Sequence, residues 1–123
     1  MMRALIITGE RDWYDYDIVA GALWYFAPDF LILGDNEGGV DAMALSWALE
    51  HNVSHKVHYN DGNWPSAGPR RNGCMIAHGV GLRSGGWQVN YVAFWSGKRK
   101  RSGTLDCMEQ CVRAGFGGYV VAR

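Results

Sequence analysis

Three observations predict that this chain folds as a doubly wound α/β domain. Short apolar runs recur at residues 4–7, 30–33, 56–59, 91–94 and 119–122, each the size of a buried strand. Segments with helical spacing lie between most of them. Glycine or a small hydroxyl residue stands where several runs end and a loop or helix begins. Near-continuous apolar strands alternating with amphipathic helices specify a parallel sheet covered on both faces. With right-handed crossovers, the economical result is a three-layer Rossmann-like sandwich around a central, mostly parallel five-stranded sheet. The 123 residues fit one domain, 1–123, with enough chain to close a core without staples.

Taken in order, Leu5-Ile6-Ile7 runs into Thr8-Gly9 and then Glu10-Arg11-Asp12-Trp13. Ile18, Ala22 and Tyr25 or Phe26 form the stripe expected of a first helix. The second run leads through Gly34-Asp35-Asn36-Glu37-Gly38-Gly39-Val40 to Asp41, an acid placed to start a second helix. That helix carries Ala44, Leu45, Ala48 and Leu49 on one stripe. Residues 60–71 contain Gly62, Pro65, Gly68 and Pro69 and read as a loop, with a short helix from about Arg70. Residues 79–87, with four glycines, read as an irregular excursion. After the fourth run, Thr104 and Asp106 open a last helix with Leu105, Met108 and Val112 on its stripe. Gly115, Gly117 and Gly118 end it before the final run.

Composition removes several function classes. Lys plus Arg and Asp plus Glu number 12 each, so no net field draws the chain to nucleic acid or anionic lipid. Its one basic cluster is local, Lys98-Arg99-Lys100-Arg101. No apolar run reaches membrane-spanning length, and Met1-Met2-Arg3-Ala4-Leu5 lacks a secretory pattern, so the expected location is cytoplasmic. Cys74, Cys107 and Cys111 have neither zinc-ribbon nor redox spacing and read as small packed thiols. His51, His55, His58 and His78 make no metal pattern, and a P-loop signature is absent. No metal and no cofactor is assigned.

The rim at the strand ends is where an open α/β sheet holds its ligand, and helix N-termini there favour phosphate. Four stretches supply candidates. Thr8 and Gly9 allow close approach, Arg11 offers a planar fork, and Trp13 offers a flat wall for a base. Gly34, Gly38 and Gly39 leave amides open beside Asp35 and Asp41, acids suited to sugar hydroxyls. Pro69 suits a first helical turn, projecting Arg70 or Arg71 with Asn72 as a phosphate clamp. Ser96, Gly97, Ser102, Gly103 and Thr104 bring amides and hydroxyls into one concave turn.

These stretches, in this order and with Trp64 before the arginines, resemble the SLOG superfamily, the Smf/DprA and LOG-like Rossmannoid proteins. Within it they are most similar to the small YspA-like group, found in bacteria and their phages. The resemblance covers nearly the whole chain. It implies a Rossmann-like fold for nucleotides or nucleotide-derived ligands, and roles in nucleotide-derived signalling or cytokinin-type base release. By position, Thr8, Gly9 and Arg11 line the pocket floor, and Gly34, Asp35 and Asp41 flank the sugar. Arg70 and Asn72 cover it, while Ser96, Gly97, Gly103 and Thr104 hold phosphate.

One departure bears on activity. Cys107 stands where the LOG phosphoribohydrolases carry a glutamate three residues beyond Gly-Thr, and Ser96-Gly97 replaces their glycine pair. The first expectation is therefore a binding protein for a nucleotide-derived small molecule: a sensor, carrier or sequestering module. The alternative is an N-glycosidic hydrolase of a nucleoside monophosphate or ADP-ribose-like compound, with Asp35, Asp41 and Asp106 as candidate acids. Nucleic acid ranks last as a partner, because four charges on one loop make a small footprint. A homodimer is expected through Leu23-Trp24-Tyr25-Phe26 and Trp47, since such proteins often pair beside the pocket.

Overall fold

The computed structural model describes residues 1–60, 62, 67–97 and 102–122, so Trp64, Pro65 and the basic run 98–101 lie outside the described residues. Nine elements follow one another: β1 (Arg3–Gly9), α1 (Tyr16–Phe26), β2 (Phe30–Leu33), α2 (Gly39–Glu50), β3 (Ser54–Val57), α3 (Ala67–Ser84), β4 (Gln88–Phe94), α4 (Gly103–Arg113) and β5 (Gly117–Val121). All strand pairs are parallel, in the order β3-β2-β1-β4-β5. The expected sandwich is present, with four helices covering the sheet. No helix among the described residues is long and apolar enough to cross a membrane.

Alternation along the strands builds two cores. Leu5, Ile7, Leu31, Leu33, Val92 and Phe94 face α1 and α2. Ala4, Ile6, Ile32, Tyr91 and Ala93 face α3 and α4. Both faces are buried, so the strands read as unbroken apolar runs.

Four local expectations need correction. In α1 the buried side chains are Val19 and Leu23, while Ile18 and Tyr25 are exposed. The helix is apolar nearly all round, so its own spacing does not choose which stripe meets the sheet. In α4 the core side belongs to Cys107 and Cys111, and Val112 is exposed. The hydrogen bond with Cys107, together with burial, pushes the Cys111 thiol up, and both side chains are packed in the core.

The third correction is larger. α3 begins at Ala67 and runs unbroken through Gly73, Gly79 and Gly81 to Ser84. Gly79 is glycine because the helix lies directly on Ile6 and Phe116; a Cβ there would stand 3.0 and 3.1 Å from their side chains. Tertiary packing outweighs the roughly 1 kcal/mol that each interior glycine costs a helix. Finally, β5 starts at Gly117, where Gly118 packs against the Tyr91 ring too closely for any side chain.

Candidate functional site

The strand order turns outward in two directions from β1 and β4, and their carboxyl ends part to leave a crevice. A cleft of about 370 Å³ sits there. Thr8 and Gly9 end β1, Glu10 and Arg11 come from the loop after it, Asn36 and Asn60 from the loops after β2 and β3, Gly68, Pro69 and Arg71 from the first turns of α3, and Ser102, Gly103 and Thr104 from the start of α4. Distant parts of the sequence thus meet at one rim. Pro69 stands in the first turn of its helix, as its fixed φ favours.

The start of α4 is ordered by its own cap. Ser102 has extended backbone, and its Oγ accepts the Leu105 N–H at 3.0 Å. Gly103 follows with open space where a Cβ would be. First-turn amides have no intrahelical partners and carry the positive end of the helix dipole. This terminus faces the cleft.

Arg71 is the arginine that enters. Its side chain is only 9% exposed, and Nη1 donates to Asp35 at 3.0 Å and lies 3.9 Å from Asp41. Nη2 donates to the Asn72 side-chain oxygen at 3.0 Å, and Nε has no hydrogen-bond partner among the described residues. Asn72 is fully buried, and its Nδ2 also donates to the Gly103 carbonyl at 3.1 Å and the Asp106 carboxylate at 2.9 Å. One asparagine thereby fixes both the guanidinium and the α4 start. Arg70 is exposed and takes no part in the lining, so of the two arginines it is Arg71 that lines the cleft. With α3 starting at Ala67, the inward side chains recur at Asn72, Met75, Ile76 and Gly79, and Arg71 stands four residues before Met75.

The acids divide by environment. Burial opposes ionisation of Asp35, but the Asn60 amide at 2.9 Å and Arg71 outweigh it and hold the carboxyl below its usual range. Asp41 is 4% exposed, and burial pushes it up to about 6, against the pull of Arg71 and the Asn36 N–H at 3.2 Å. The Asp35 charge adds to the rise. Asp41 lies in the first turn of α2 rather than at its N-cap, which is Gly38. Neither Asp35, Asp41 nor Asp106 lines the polar cleft. Asp106 faces α3, accepting from Asn72 and from Gln110 at 2.8 Å.

The acid that does line the cleft is Glu10, which nothing in the sequence singled out. It is buried, its Oε1 accepts the Ser96 N–H, and its Oε2 accepts the Ser96 hydroxyl at 3.0 Å. Ser96 therefore spends both donors on Glu10, and with Gly97 it lies outside the cleft lining. Asn36 and Asn60 were equally silent. Their role depends on loops that only the fold brings together.

Trp13 is also reassigned. It is buried, with its ring edge-on to Phe94 at 5.4 Å, so it belongs to the core and offers no face to a base. Gly9 matters for packing as well as for the rim, since a Cβ would strike Val40. Gly34 has Arg71 and Asp41 where its side chain would go, at 2.7 and 2.8 Å. Gly39 has φ +68° and sits on the Glu10 carbonyl and Arg11, outside the cleft, whereas Gly38 is exposed beside it.

Away from the cleft, His58 Nε2 and His78 Nδ1 lie 3.2 Å apart, both rings half-buried. Burial lowers both below the usual histidine range, with His78 and Lys56 adding to the effect on His58. Among the described residues no group of three or more metal-ligating side chains gathers.

Fold and site together define a class: a parallel α/β domain with a polar cleft at its topological switch point. No protein-family model matches the chain, and no curated protein gives a significant match.

Proposed function

We propose that this protein binds a phosphorylated, nucleotide-derived small molecule in the polar cleft, as a member of the SLOG group its motifs resemble. The observation that carries the reading is Arg71, a nearly buried guanidinium held at the mouth of a helix N-terminus by Asn72. A fork fixed in advance loses little freedom when it grips an anion. The α4 amides add donors of the same polarity. Calorimetric titration with pyrophosphate and ADP tests this. Saturable binding, weakened roughly tenfold or more by Arg71→Ala, is expected; no binding of either ligand ends the reading.

Turnover is the second reading, and Glu10 is the acid it requires, because the three aspartates do not line the cleft. Ser96 occupies both Glu10 oxygens, which suits a structural carboxylate better than a catalytic one. Release of free base from nucleoside monophosphates or ADP-ribose, slowed about 10²-fold by Glu10→Gln, would establish the hydrolase.

A cytoplasmic homodimer completes the proposal. Trp47 is buried and takes no part, but Trp24 is 59% exposed and stacks edge-on to Trp47 at 5.4 Å. Phe26 meets the exposed Tyr119 at 5.5 Å, which extends the apolar surface from α1 to β5. Light scattering is expected to give twice the chain mass, reverting to one on Trp24→Glu.

A further inference from the structure

Beside the polar cleft lies a second depression of different character, about 440 Å³ in volume, between α2 and the end of β3. Its apolar wall is Leu45, Leu49, Val57 and Tyr59; Leu49 is 61% exposed and Tyr59 72%. Ala44, Trp47 and Ala48 take the core side of α2, Leu45 is half-buried against them, and Leu49 is left exposed. Asp35, Asn36 and Glu37 form its polar rim. Asn36 also lines the cleft, and a shallow polar saddle of Arg11, Glu37, Gly38 and Asn60 joins the two. The path therefore runs from cation and helix terminus, across amides and a carboxylate, to an apolar shelf with an exposed aromatic ring.

We infer that this shelf seats the planar base of the ligand. The inference rests on the anion reading above. Trp13 is in the core, and among the described residues the cleft lining holds no aromatic side chain, whereas Tyr59 supplies an exposed one on the shelf. Asn36 and Ser46 stand at the edge with amide and hydroxyl groups for a heterocycle's exocyclic atoms. Arg71 stands where the two depressions meet: it lines the cleft, and its Nη1 lies 3.0 Å from Asp35 and 3.9 Å from Asp41, which line the shelf. A phosphate held at Arg71 and the start of α4 leaves the rest of the ligand to run along this rim to the shelf.

Calorimetry on the full chain with pyrophosphate and ADP tests the assignment. ADP is expected to bind roughly tenfold more tightly than pyrophosphate, as base stacking on an aromatic ring contributes that order. Leu49→Glu and Tyr59→Ala, both at exposed positions, are expected to collapse the ADP-over-pyrophosphate ratio towards one. Equal affinities for pyrophosphate and ADP in the unaltered chain overturn the shelf while leaving the anion site standing. So does a ratio that both variants preserve, or a dimer that Leu49→Glu dissolves without changing it, which would give the shelf to a second copy. Failure of every ligand to bind removes the anion site and the shelf together.

Discussion

α2 and α4 both begin at a glycine just past a buried strand, with an acid in the first turn. At α2 the N-cap is Gly38, which has no side-chain cap, and the Val40 N–H lies 3.4 Å from the Glu10 carbonyl. Gly39 is pressed on that same carbonyl at positive φ, and Asp41 is folded under the preceding loop. At α4 the cap is the Ser102 hydroxyl, Gly103 has open space around it, and the terminus faces the cleft. One helix start is filled by the protein's own backbone; the other opens on the cleft. The comparison teaches that a glycine-rich helix start is an anion site only where no neighbouring loop has already claimed it.

The sharpest way to break this contrast is to put a side chain on each glycine. Gly39→Val meets both the left-handed backbone and the β1–α1 loop, and is expected to cost about 4 kcal/mol. Gly103→Ala meets nothing and is expected to stay within about 0.5 kcal/mol. Denaturant unfolding of the pair checks it, and equal losses would erase the distinction.

Asp41 comes next. Its folded carboxyl is raised to about 6 from an ordinary value near 4, so ionising it within the fold costs about 3 kcal/mol. The native state binds the extra proton, so this stability is fully present below the unfolded pKa and is lost as pH rises through about 6. Asp41→Asn is expected to flatten that slope and to be the more stable chain at about pH 8. Losing a negative charge beside Arg71 also makes the cleft more attractive to anions. Sulfate, whose charge is constant over the range, is expected to bind more tightly as pH falls through about 6, and the trend is expected to vanish in Asp41→Asn.

Two smaller effects sharpen the α4 side. Ser102→Ala removes the cap and is expected to cost about 1 kcal/mol in thermal unfolding. Arg70→Ala is expected to change pyrophosphate affinity by less than about twofold, against the large loss for Arg71→Lys, which keeps charge but not the fork. A reversal of that order would return the clamp to Arg70.

Local patterns carried the layered architecture. Strand length, apolar runs and glycine at the strand ends are set by near neighbours, so they were readable for β1, β2 and β4 without a fold. Patterns failed where neighbours were ambiguous: α1 is apolar nearly all round, and α3 hides its true length behind glycines, of which Gly79 is required by Ile6 and Phe116. The site was legible as a rim and illegible as a set of contacts. Arg70 and Arg71 are equivalent in composition until the start of α3 at Ala67 fixes their phase.

By itself, then, the sequence determined the alternation of strand and helix, the burial of the sheet on both faces and the polar rim at its carboxyl end, all consequences of periodicity over a few residues. Tertiary structure alone decided that Trp13 is core, that Ser96 answers to Glu10, and that Arg71 reaches Asp35. Those partners are separated by 86 and 36 residues in the last two cases. Long-range contacts of this kind are chosen by how sheet and helices pack, and no local preference encodes them.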